Sequence, residues 1–250
     1  SLIGADPTVV PAEIAVRIGA RAGFTKALGQ EWPECAARLV DVHPSLSDSE
    51  AAEILCDELA ASDGAVEIFH HVGRRLTMAL QLEPMPSTGH ALEGNPVIVL
   101  TGGTRGITAR VALEFAQRGA CRLALLARTA PSESPLDEVA TRAEIRAELK
   151  ASGLRGTPAE IEKRMKPLRA ANEVRENIAQ MTAAGAEVVF IAVDLSDPIT
   201  IHDALETIRS RWGRIDGVVH GAGSEESRLI ADKDESAFHR IFDGKALGGL

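Results

Sequence analysis

The stretch Val97-Ile-Val-Leu-Thr-Gly-Gly-Thr-Arg-Gly-Ile-Thr108 decides the fold. Its first five residues are apolar or β-branched and show no alternation, the pattern of a strand buried on both faces. They run into Gly102, Gly103 and Gly106 and then into a helical pattern over Thr108 to Arg118 that Gly119 closes. Such a strand, turn and helix let the backbone bend tightly and approach a pyrophosphate, whose charge then lies at the positive end of the helix. Glycine tolerates the dihedrals and the closeness this requires. Thr101, Gly102, Gly103, Thr104, Arg105, Gly106 and Ile107 are therefore assigned to a dinucleotide-binding turn. A second buried run, Cys121 to Leu126, completes a βαβ unit, and Arg128 follows it. An acid there usually holds the ribose hydroxyls of a non-phosphorylated cofactor, whereas an arginine attracts a 2′-phosphate. Arg105 offers a second guanidinium to the same phosphate, so NADPH is expected in preference to NADH.

Downstream, Thr129 to Ala184 turns charged and helical, far longer than the roughly 4–6 residues of an ordinary connection. It reads as an inserted helical hairpin at about 129–178 leading into the crossover helix, with its charges on a solvated face. The alternation resumes with a strand at Glu187 to Val193, a helix from Pro198 to Trp212 capped by Asp197, a strand at Gly217 to Val219, and a helix from Glu235 onward. Repeated βα units predict an α/β fold with a Rossmann-like, doubly wound parallel sheet.

Upstream, Ile14, Ile18, Ala22, Thr25 and Leu28 recur at helical spacing between Pro11 and Gln30. Ala37 to Val42 reads as a strand, and Ser47 or Asp48 caps a helix that Gly64 ends before a strand at Ala65 to Phe69. Residues 1–82 thus read helix, strand, helix, strand. Glu83 to Asn95, with its prolines and glycines and no periodicity, is the expected boundary. Two domains are predicted, 1–90 and 91–250.

Composition narrows the function classes. The 250 residues carry a formal net charge of −9, with basic residues interspersed among acids, which argues against a nucleic-acid partner. Cys35, Cys56 and Cys121 are isolated and odd in number, so neither a disulfide framework nor a metal site is indicated and a reducing cytoplasm is expected. No apolar run approaches the roughly 20 residues that span a membrane. The chain begins with Ser1, ends at Leu250 inside a helical pattern and contains no tyrosine; it reads as a piece of something longer.

TGGTRGIT, LALLAR, AVDLSD, and HGAG after RIDGVV resemble, in order and spacing, a short-chain dehydrogenase/reductase, specifically the ketoreductase domains of polyketide and polyunsaturated-fatty-acid synthases. The resemblance implies that Asp194 and Leu195 contact the adenine and that His220, Gly221, Ala222 and Gly223 line the cofactor. It implies that Lys245, in FDGKALGGL, lowers the pKa of a catalytic tyrosine; an ammonium beside a phenol favours the phenolate. On the residues alone, Asp194 also reads as a turn acid, His220 as a histidine satisfied by backbone groups and Lys245 as an exposed helix lysine. Thr108 departs from the pattern, standing where many relatives carry a third glycine. Residues 11–82 resemble the last units of the synthase ketoreductases' structural subdomain, a degenerate Rossmann-like copy without a cofactor turn. The long insertion is similar to the polyunsaturated-fatty-acid-synthase branch.

The expected parent is an NADPH-dependent β-ketoacyl reductase acting on substrates tethered to an acyl carrier protein, beside the other domains of a synthase. The family's serine, tyrosine and asparagine would follow Leu250, so this chain is expected to bind NADPH weakly and reduce nothing. Two alternatives stay open: a non-catalytic scaffold module, and an extended-type nucleotide-sugar epimerase or dehydratase.

Overall fold

The computed structural model describes residues 12–71, 73–84, 94–119 and 121–249. The described backbone forms two units, one within residues 12–84 and 225–242, the other within 94–224 and 243–249. Most of the expected boundary at Glu83 to Asn95 lies outside the described residues. No described helix is long and apolar enough to cross a membrane.

The larger unit holds a four-stranded parallel sheet of β4 (Val97–Thr101), β5 (Arg122–Ala127), β6 (Glu187–Ala192) and β7 (Gly217–His220), ordered β6-β5-β4-β7. All three pairings are parallel. Every residue of β4 is buried, as the unbroken apolar run predicts for a strand covered on both faces. Ile98 and Leu100 point to one face, where they meet Leu123, Leu125, Ala109, Ala112 and Ala116 of α3 (Gly106–Arg118), and Met181 of α5 (Pro158–Ala183). Three alanines on the inner stripe of α3 let that helix approach the sheet closely. Val97 and Val99 point to the other face, against Ala124, Leu126, Val193, and Ala204 and Ile208 of α6 (Pro198–Trp212). Helices on both faces of a parallel sheet make the doubly wound fold that was expected.

The insertion is a hairpin of α4 (Glu138–Ala151) and the 26-residue α5. Asp137 caps α4, and Thr157 with Glu160 forms a capping box at the start of α5. Ile145, Leu149, Ile161 and Met165 build a separate small core between these helices, with Leu136 packed against it. The last turns of α5 join the main core, so insertion and crossover helix are one element.

The smaller unit contains α1 (Ala12–Glu31), β1 (Leu39–Val42), α2 (Asp48–Ala60), β2 (Glu67–His71) and β3 (Arg74–Thr77). β1 pairs parallel and β3 antiparallel with β2. The expected helix end at Gly64 is corrected: α2 stops at Ala60 and Ala61 is extended. There the Arg38 guanidinium donates to the Ala61 carbonyl at 2.6 Å and pairs with Asp63, while Gly64, at φ +73°, serves the turn into β2. The strand expected at Ala65 to Phe69 lies two residues later, and β3 was not expected.

Candidate functional site

Because β5 and β6 extend the sheet on one side of β4 and β7 on the other, the crevice beyond the carboxyl ends of β4 and β7 is the switch point at which open α/β sheets hold ligands. Thr101 and His220 are register partners at these ends. Thr101 Oγ1 lies 2.8 Å from His220 Nδ1, His220 Nε2 lies 3.1 Å from the Lys245 carbonyl oxygen, and the Ala222 N–H donates to Thr101 Oγ1 at 3.3 Å. A carbonyl only accepts, so Nε2 carries a proton; in the neutral ring, Nδ1 then accepts from the Thr101 hydroxyl. With both nitrogens engaged, His220 braces the crevice.

The three glycines of the turn answer to different neighbours. Gly102 has φ +69°, and a Cβ there would lie 2.9 Å from Ala222 Cα; at Gly103 it would lie 2.7 Å from Leu100 Cβ. These two glycines let the turn pack against its own fold. Gly106, at φ +61°, would meet nothing within 4 Å. Thr101, Gly103 and Thr104 are buried, whereas Arg105, Gly106 and Ile107 are exposed, so this last edge is where an outside phosphate can reach the start of α3. Gly221 packs against Thr108: a Cβ at 221 would come within 2.2 Å of Thr108 Oγ1.

Arg105 does not stand free. Its Nε donates to Glu173 Oε2 at 2.8 Å, and the other oxygen of Glu173 lies 3.5 Å from the Gly106 N–H. One turn further along α5, Asn177 Nδ2 donates to the Thr104 carbonyl at 2.9 Å. Neither residue was expected from the sequence. The only available signal was an asparagine set among the buried positions Ala170, Val174 and Met181 of α5, where an amide has to find a partner.

Arg128 is exposed just after β5, with no hydrogen bond or ion pair among the described residues. Its charge acts on Asp194, at the adjacent end of β6. The Ser196 N–H and hydroxyl donate to Asp194 Oδ1 at 3.0 and 2.7 Å. These bonds, the backbone one foremost and Arg128 least, hold the Asp194 carboxyl below its ordinary range. Asp194 thus closes the turn after β6 through one oxygen, and the residue is exposed. Leu195 packs on the apolar core, and a Cβ at Gly248 would strike its carbonyl oxygen at 2.7 Å. Lys245 ends α7 (Glu235–Lys245). Its stem crosses Gly223, where a Cβ would fall 2.7 Å from Lys245 Cε, and the residue is exposed. The structure therefore gathers Thr101, Gly102, His220, Gly221, Ala222, Gly223 and Lys245 at one crevice, with Arg128 and Asp194 at the neighbouring strand ends.

Residues 96–250 match the family model described as KR domain. The chain belongs to the ketoreductase (KR) domain family. This KR domain is 27% identical over 249 residues to a polyunsaturated fatty acid synthase of Thraustochytrium sp., covering 92% of the chain and 9% of that protein. It is 26% identical over 225 residues to polyketide synthase PksL of Bacillus subtilis, covering 88% and 4%. The crystal structure of a ketoreductase domain from the bacillaene assembly line matches at a TM-score of 0.69 and 22% identity, covering 96% of this chain and 48% of that one. That match reports the fold. The chain spans a small part of the synthases and less than half of the solved ketoreductase.

The crevice suits a dinucleotide in three respects. The first amide of α3 is exposed at Gly106, faced by Glu173 at 3.5 Å; the Arg128 guanidinium is exposed at the strand ends, with no hydrogen bond among the described residues; and small residues, Gly221 to Gly223, border the crevice.

Proposed function

We propose that this chain forms the cofactor-holding part of an NADPH-dependent β-ketoacyl reductase, with carrier-protein-tethered thioesters as substrates and the other domains of a synthase as its partners. The observation that carries this reading is Arg128, exposed and without a hydrogen-bonded partner among the described residues, beside the exposed edge of the glycine turn at Gly106. The chemistry such a cofactor supplies when bound is hydride delivery to a ketone carbon. The residues of this chain do the holding. The Gly106 N–H and the positive end of α3 receive phosphate charge, and Arg128 grips a 2′-phosphate by paired hydrogen bonds. Asp194 and Leu195 border the adenine, and the strip from His220 to Gly223 lines the nicotinamide half. The Lys245 ammonium lowers the proton affinity of a phenol set beside it. The 250 residues contain no tyrosine, so ketone-dependent NADPH oxidation by this chain alone is expected to be undetectable.

Titration calorimetry with NADPH and NADH tests the assignment. The chain is expected to favour NADPH, and Arg128→Ala to lower that preference about tenfold, the loss of one charged hydrogen-bonding group. Equal affinity for the two cofactors, unchanged in the variant, would refute it.

A further inference from the structure

α3 differs from the other long helices of its unit in having no cap of its own. Asp137, Thr157 and Asp197 cap α4, α5 and α6 with their side chains. Arg105, the N-cap residue of α3, makes no such bond, and no acid lies in the first turn. The negative group at that helix end comes from far along the chain: Glu173 of α5, with one oxygen on Arg105 Nε at 2.8 Å and the other 3.5 Å from the Gly106 N–H. A carboxylate that bridges a guanidinium and the first amide of a helix makes the same two kinds of contact as a phosphate at a glycine turn.

We propose that Glu173 is an internal anion occupying the phosphate seat of the turn, so that an incoming dinucleotide has to displace it, and that this residue sets cofactor affinity. The inference rests on the dinucleotide reading given above. Both partners are close to half exposed, 46% for Arg105 and 44% for Glu173, so the pair is a weak latch. The released carboxylate has somewhere to go. A groove of about 580 Å³ beside the pair is lined by Lys163 and Lys166 of the same helix, whereas Arg169, which also lines it, is held by Glu138 and Glu162. Asn177, still bonded to the Thr104 carbonyl, holds the turn in place while Glu173 leaves, so opening the seat does not require α5 to undock.

The test compares wild type, Glu173→Gln and Glu162→Gln at constant ionic strength, reading the NADP+ dissociation constant by calorimetry and the melting shift produced by inorganic pyrophosphate. Glu162 lines the same groove and loses the same charge; its partners are Arg142 and Arg169, and it does not touch the turn, so it also controls for the release of a groove arginine. Glu173→Gln is expected to tighten NADP+ about three- to fivefold, the scale of one exposed ion pair, and to enlarge the pyrophosphate shift, whereas Glu162→Gln does neither. If NADP+ binds wild type and Glu173→Gln equally, or Glu162→Gln gives the same gain, the role of Glu173 is overturned and the dinucleotide reading stands. If NADP+ binds none of them while pyrophosphate stabilises Glu173→Gln more than wild type, the dinucleotide reading falls and the internal anion remains. A pyrophosphate shift equal in all three proteins overturns the inference in either case.

Discussion

Thr108 and Gly221 show how a departure from a motif is absorbed at the scale of single residues. At the position where the family resemblance leads one to expect a third glycine, Thr108 adds a β-branched side chain, and the space it needs is supplied across the crevice by Gly221, with the hydroxyl donating to the Gly221 carbonyl at 3.4 Å. A Cβ at 221 would lie 2.9 Å from Thr108 Cβ as well as 2.2 Å from its Oγ1, so rotating the threonine does not relieve the overlap. Gly221→Ala is therefore expected to destabilise the chain by about 1–3 kcal/mol through overpacking. Thr108→Gly, which alone costs only about 0.3 kcal/mol in helix propensity because threonine is itself a poor helix former, should abolish that penalty when combined with it. Denaturant melts of the four proteins in the cycle measure the coupling; strictly additive losses would show that the two positions do not share the space. The sequence placed both residues in the right segments but showed no link between them, because a contact across 113 positions leaves no periodic trace. His220 is similar: its position after β7 was legible, while the hydroxyl and carbonyl that hold its ring emerge only when Thr101 and Lys245 meet around it.

At the scale of elements, the buried runs of β4 and β5 and the caps at Asp197 and Ser47 were legible because each is a local signal. The insertion was legible as helical but not as one continuous crossover element. Pro167 lies inside α5 and usually marks a kink or an end, since it lacks the N–H for a helical bond. Here the helix continues because Met165 before the proline and Ala170 after it are both buried, and packing on either side outweighs one lost bond. Met165 belongs to the small core of the hairpin, whereas Met181 belongs to the core under the sheet. Two cores on one helix imply separable stabilities. Leu149→Ala, in a fully packed position, is expected to cost about 2–5 kcal/mol locally. Hydrogen exchange should then quicken in α4 and the first half of α5 and stay unchanged in β4 and β5. Equal acceleration in the sheet would mean that hairpin and sheet unfold as one body.

At the scale of the whole molecule, the two units are stabilised by different means, each taken by itself. The larger unit buries an apolar sheet between helices, whereas in the smaller one Ile68 and a carboxylate, Glu58, are among the few side chains with almost no exposure. Glu58 accepts from Arg75 Nε and Nη2 at 2.6 and 2.9 Å, from Arg38 at 3.3 Å, and lies 2.7 Å from His70 Nε2. This network explains why β3 was illegible: Arg74-Arg-Leu-Thr77 has no strand-like apolar pattern, and its pairing with β2 is anchored by Arg75 reaching a helix residue. The Arg75 hydrogen bonds, opposed by burial and aided by His70, bring the Glu58 pKa down from 4.5 to about 2. A carboxyl whose folded pKa is depressed contributes stability that is complete above its unfolded value and vanishes as pH falls through the folded one. The smaller unit should therefore weaken between about pH 4.5 and 2. The two tryptophans report separately, Trp32 from the smaller unit and Trp212 from the larger. In an acid titration at fixed temperature, the Trp32 signal, followed in Trp212→Phe, is expected to change first, ahead of Trp212 followed in Trp32→Phe. Glu58→Gln leaves the Arg38 and Arg75 guanidiniums around a neutral amide, and removing one member of a buried ion pair costs about 3–5 kcal/mol. In that variant the smaller unit should already be destabilised at neutral pH and should lose most of its sensitivity in the acid window. A Trp32 transition with the same midpoint in wild type and Glu58→Gln would mean that the buried carboxylate does not govern the acid response of this unit.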